Sequence, residues 1–220
     1  MYGPLAGWEE LSRAKFFIST MEDFIAKSEA DEVRDLSKGI DRLSEEAKDD
    51  FWQWHYPIHW QDIFGVRIRS SFVAQLCSHV EALLGDIANR IQTIQRCKIK
   101  ATDLKGTALE QARKYFTEFG IFANPSEDLW KGMAYIFRIR NIHVHQQGYA
   151  GEKKGQEKFY EFLLGIPSIK VENNFIELNS GSCQNLLQLT ETFHSALVEE
   201  YNAYRIKSEA LERLTVKNGA

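Results

Sequence analysis

A chain of 220 residues with 44% hydrophobic and 26% charged side chains can bury one sizeable core, and it is neither disordered in composition nor long enough for two comfortable domains. A formal net charge of −4 argues against a protein whose main work is coating nucleic acid, because phosphate affinity is built from an excess of Lys and Arg. Any RNA contact must then be local. Cys77, Cys97 and Cys183 are odd in number and unpaired in spacing, so neither a disulfide framework nor a structural zinc site is expected. The opening MYGPLAGWEEL has no basic segment followed by an apolar one, and no apolar run reaches the roughly 18 residues that span a bilayer. The expectation is a cytoplasmic protein with no membrane partner.

Residues 5–29 predict a first helix, with Leu11, Ala14, Phe17, Ile18, Met21, Phe24 and Ile25 recurring at steps of three and four. Residues 30–50 are richly charged but keep Val33, Leu36, Ile40 and Leu43 at helical spacing, which predicts a second, solvated helix with a break near Gly39. The stretch 51–64, FWQWHYPIHWQDIF, gathers three of the five tryptophans around Pro57; a structural plug between helices is the favoured reading, a stacking surface the alternative. Residues 66–95 carry a wide apolar stripe from Val73 to Ile94 and predict the spine of a bundle.

A loop follows from 98 to 106, then a short helix over 107–119 that stops at Gly120. Asn124, Pro125 and Glu127 form a helix start with Asn124 as cap, leading a helix to about Gln147. The polar run GYAGEKKGQEK reads as a mobile loop. Residues 168–178 alternate around Asn173-Asn174 and predict a β-hairpin, and 182–214 predict a last helix with Leu186, Leu189, Phe193, Leu197, Tyr201 and Tyr204 on its apolar face. The sum is an all-α antiparallel bundle of about five helices, with a small β-hairpin before the last one.

The stretch IFRIRNIHVHQQG, residues 136–148, is where chemistry is expected. Two arginines and two histidines within eight positions of one helix suit phosphodiester work, Arg stabilising charge on a phosphate and His moving a proton. The surrounding residues 136–158 are locally basic, with Arg138, Arg140, Lys153, Lys154 and Lys158 against Glu152 and Glu157. Helical geometry leaves the register open. Arg140 and His145 stand about 140° apart on one helix, whereas Arg138 and His145, seven positions apart, share a face. Arg and His late in a helix also complement its negative end, a purely structural alternative.

The run Arg140-Asn141-Ile142-His143-Val144-His145 resembles the Arg–polar…His motif of the HEPN superfamily, the higher-eukaryote and prokaryote nucleotide-binding domains. Together with the spine helix before it, the likeness covers residues 66–214, with residues 1–60 as an N-terminal helical extension packed on a domain of residues 61–220. It implies a stand-alone, homodimeric, metal-independent endoribonuclease needing no cofactor, of the toxin or defence-effector kind, with RNA or a nucleotide as its partner and an antitoxin or nucleotidyltransferase as a regulatory one. By the same resemblance His145 acts on the ribose 2′-hydroxyl or the leaving oxygen, Arg140 holds the scissile phosphate, and Asn141 orients the groups around it. Arg138, His143, Lys153, Lys154 and Glu81 are auxiliary or RNA-binding, Glu81 being a candidate ion partner for the motif helix. A related toxin subgroup carries a modified Tyr two positions after the motif His; here that position is Gln147 and the nearest tyrosine is Tyr149. Relatives that keep the fold and lose the activity make a silent binding module the second reading, and a helical interaction protein the third. His55 and His59 flank Pro57 and make a doubtful metal pair, and His194 reads as packing.

Overall fold

The computed structural model describes residues 8–120 and 125–218, with side chains described from residue 9 to residue 211. Its helices are α1 (Trp8–Ile40), α2 (Glu45–His55), α3 (Val66–Gln95), α4 (Ala108–Glu118), α5 (Glu127–Gln146), α6 (Glu157–Leu164) and α7 (Ser182–Asn218). A two-stranded antiparallel sheet, β1 (Ile169–Glu172) and β2 (Phe175–Leu178), precedes α7. The chain is thus mostly helical, and no helix among the described residues is long and apolar enough to cross a membrane.

The spine is α3, whose limits coincide with the predicted 66–95. Phe72, Val73, Leu76, Cys77, Val80, Leu83, Leu84, Ile87 and Ile91 are all buried along it, and α1, α4, α5 and α7 pack around it. Leu11, Ala14 and Ile18 of α1 join the same core cluster as Leu186, Phe193 and Leu197 of α7. The N-terminal helix therefore shares the core of the chain behind it.

The charged stretch is divided differently from the prediction. α1 runs unbroken through Gly39 to Ile40, and the interruption falls at 41–44, where the Ser44 hydroxyl accepts from Ala47 N and starts α2. Phe17 and Phe24, assigned to the buried stripe of the first helix, are 42% and 53% exposed, because the core stripe follows Leu11, Ala14, Ile18 and Ile25 on the adjacent side. The aromatic stretch is no plug: Trp54 is 80% exposed, and Tyr56, Ile58, Ile63 and Phe64 face solvent as well. Trp60 packs edge-on against Phe24 and stacks on Phe64, so the cluster lies on the surface. Asn124 lies outside the described residues; the cap of α5 is Ser126, whose hydroxyl accepts from Leu129 N at 3.3 Å. The last two residues of the predicted loop, Glu157 and Lys158, open α6, a helix too short to print a periodic pattern.

A π-helical turn, Trp60–Gly65, runs directly into α3. It brings Gln61 to the most deeply buried ion pair. Arg69, 2% exposed, donates from Nε and Nη2 to the two carboxylate oxygens of Glu22 at 2.8 and 2.7 Å. Nη2 also reaches Gln61 Oε1 at 3.0 Å, and Nη1 reaches Leu178 O at 3.2 Å. Gly65 lets the guanidinium lie against the turn, since a Cβ there would come within 2.7 Å of Arg69 Nη1.

The hairpin behaves as the Asn-Asn pair predicts. Asn173 and Asn174 take φ of 49° and 66°, the double left-handed pair of a tight type I′-like turn. Ala150 N donates to Asn174 O and Ile176 N to Gly148 O, which ties the segment after α5 to the hairpin.

Candidate functional site on helix α5

α5 starts with Glu127 and Asp128 in its first turn and ends with His143 and His145 in its last, which suits the helix dipole at both ends. It stops at Gln147, left-handed at φ 51°, and the amides of Gln147 and Gly148 both end on Ile142 O. The contacts to α3 run in opposite order along the two chains, Ser70 to His143 and Glu81 to Arg140, so the helices are antiparallel there.

This packing separates the motif residues onto two faces. Arg140 and His143 turn toward α3. Arg140 Nη2 donates to Glu81 Oε1 at 3.1 Å, in a pair whose side chains are 27% and 39% exposed. The ion partner expected for the motif helix is therefore Glu81, in a half-open rather than buried setting. Beneath it, burial pushes the Cys77 thiol up to about 12, opposed by the Arg140 charge. His143 Nδ1 lies 3.3 Å from Ser70 Oγ, and its Nε2 is buried without a hydrogen-bond partner. Burial lowers its pKa, so the ring sits neutral between the helices.

Arg138, Asn141 and His145, at steps of three and four, share the opposite face. Asn141 and His145 are exposed, and His145 makes no hydrogen bond or ion pair among the described residues. Arg138 lies with its guanidinium carbon 4.1 Å from the centre of the Phe159 ring on α6, and no carboxylate pairs with it among the described residues. Arg138 and Asn141 line a cleft of about 460 Å³ whose other walls include Gln146, Tyr149, Gly151 and Gln156. Lys153 and Lys154 are exposed on the segment between Gly151 and Gln156. The structure thus brings Arg138 and Asn141 together, with His145 one helical turn beyond Asn141, and holds Arg140, His143 and Glu81 on the α3 side.

Sequence reasoning missed the far wall of this cleft. Tyr149 stands out in the sequence only as the nearest tyrosine to the motif, and Gln146 and Gln156 carry no signal. The chain reversal at Gln147 and Gly148, which folds the next eight residues back over α5, is the only hint that they belong there. Of the other histidines, exposed His55 contacts Phe51 O through Nδ1, while His59 Nε2 faces Glu32 at 3.3 Å; no group of three or more His, Cys, Asp or Glu that could hold a metal ion stands together among the described residues. His194 is buried and stacks on His79 at 5.9 Å, in keeping with a packing role.

Comparison with protein-family models, curated proteins and solved structures finds no match for this chain.

Proposed function

We propose that the chain is a metal-independent endoribonuclease of HEPN type, a toxin or defence effector that cuts RNA by transesterification. The observation that carries this reading is His145: an exposed imidazole without a partner among the described residues, one turn from Asn141 and on the same helix face as Arg138. A histidine held there can accept the ribose 2′-hydroxyl proton while the 2′-oxygen attacks phosphorus. The bond to the 5′-oxygen then breaks, that oxygen takes up a proton, and a 2′,3′-cyclic phosphate remains. Arg140 balances the charge on the phosphoryl oxygens by exchanging the Glu81 carboxylate for phosphate. Because Arg140 and His145 diverge by about 140° on one helix, a complete site takes them from two copies across a two-fold axis.

The ion pair between Arg140 and Glu81 favours a second reading. If that pair holds permanently, the motif arginine is structural and the domain is a silent module binding RNA, nucleotide or protein.

The test is a mixed RNA pool incubated with the protein in EDTA, beside Arg140→Ala and His145→Ala variants shown to be folded. Cleavage by the wild type, lost in both variants, with cyclic-phosphate ends on the products, is the expected result. Intact RNA beside a folded wild-type dimer would overturn the enzyme reading in favour of the binding module.

A further inference from the structure

The cleft between α5 and the segment after it has a lining that phosphate chemistry alone does not call for. Tyr149 offers a ring 42% exposed, backed at 5.3 Å by Phe175 of β2. Around it stand three side-chain amides, Asn141, Gln146 and Gln156. Amides supply donors and acceptors side by side, the pattern that reads the edge of a nucleobase. Gln156 Nε2 donates to Glu152 O at 2.7 Å, while its Oε1 is buried with no hydrogen-bond partner. At the same cleft Arg138 holds its charge over an aromatic ring rather than against a carboxylate.

The walls are fixed before any ligand arrives. Ala150 N bonds Asn174 O at 2.8 Å, Ile176 N bonds Gly148 O at 2.9 Å, and the Tyr160 hydroxyl bonds Gly151 O. A cleft held from the hairpin and from α6 spends little on ordering its own walls when a ligand binds. Its volume of about 460 Å³ falls in the range of small-ligand sites.

We infer that this cleft is a subsite for one unpaired nucleobase of single-stranded RNA, stacked on Tyr149, edge-read by the amides, with the adjoining phosphate on Arg138. Bases inside a duplex hide their faces in the stack, so the preferred substrate is single-stranded. The inference rests on the ribonuclease reading for the identity of the polymer, but its binding test does not depend on cleavage.

A short fluorescein-labelled 2′-O-methyl RNA, which has no free 2′-hydroxyl to react, is titrated with the full chain at low salt and followed by anisotropy. Tyr149→Ala is expected to weaken binding about five- to a hundredfold, the range that base–aromatic stacking supplies. Tyr149→Phe should bind like the wild type and Arg138→Ala more weakly, and a duplex of the same sequence should compete poorly. Affinity unchanged in Tyr149→Ala, or no binding by the wild type, would overturn the subsite. The EDTA cleavage assay separates the two ideas. Cleavage lost in His145→Ala beside wild-type binding by Tyr149→Ala removes the subsite and keeps the enzyme. Tyr149-dependent binding without any cleavage keeps the subsite and removes the enzyme.

Discussion

A guanidinium taken out of water must be met at every nitrogen, and Arg69 is met by a carboxylate, an amide oxygen and a backbone carbonyl drawn from α1, the π turn and β2. Such a pair adds little net stability, yet removing one member strands the other. Glu22→Gln is therefore expected to lower unfolding stability by about 3–5 kcal/mol, and replacing Arg69 and Glu22 together with Met and Leu should recover most of the loss. Urea denaturation of the three proteins measures both. The sequence does not pair Arg69 with Glu22, because the two lie 47 residues apart and no periodic pattern links positions so distant. The motif residues stand out in the sequence for the opposite reason: their residue types fall together within one helix. Their division into an α3 side and a cleft side depends on which face α3 covers, a fact of packing that local spacing leaves open.

At the scale of elements, long patterns read well and short ones did not. α3 offers about eight turns of stripe and its ends were legible to the residue, and the hairpin was legible because two successive asparagines accept the left-handed backbone that its turn demands. α6 has eight residues and too few turns to show a period. The aromatic stretch misled because aromatic residues usually bury, whereas here the π turn sets Trp60 against the exposed Phe24 of α1 and Trp54, Tyr56, Ile58, Ile63 and Phe64 face solvent. The start of α5 turns on a single hydroxyl. Ser126→Ala removes the acceptor for Leu129 N and should cost about 1 kcal/mol. A drop in thermal midpoint, with α5 amides next to residue 127 exchanging faster, is the expected outcome; unchanged exchange there would move the cap elsewhere.

For the whole molecule the imidazoles set the response to acid. Burial lowers the pKa of His143, and burial lowers that of His79 against a smaller opposing pull from the Glu10 charge. The unfolded chain, with histidines near their ordinary value of about 6.5, takes up protons before the folded one does. Stability is thus fully present above that value and is lost as pH falls below it toward the depressed folded values. The thermal midpoint should decline between about pH 7 and about pH 5, and the decline should be shallower in His143→Gln, whose amide cannot titrate in that window. A His143→Gln variant with the wild-type slope would place the acid sensitivity in other groups.

The π turn at Trp60–Gly65 has an implication for descent. Such a turn holds one residue more than the α-helix around it would use, and here it continues into the spine without a loop to absorb a change of length. Deleting one residue of the turn between Gln61 and Arg69 would let it relax to ordinary helix while the segments on either side keep their relative direction, because the wide turn exists to absorb that residue. Losing a second would swing all that precedes it by about 100° about the spine axis, taking Gln61 from Arg69 and α1 from its seat. In any lineage that keeps this architecture, the spacing from Gln61 to Arg69 should therefore be eight or seven and nothing else, and longer insertions and deletions belong at the 41–44 junction or on the lysine-bearing segment after α5.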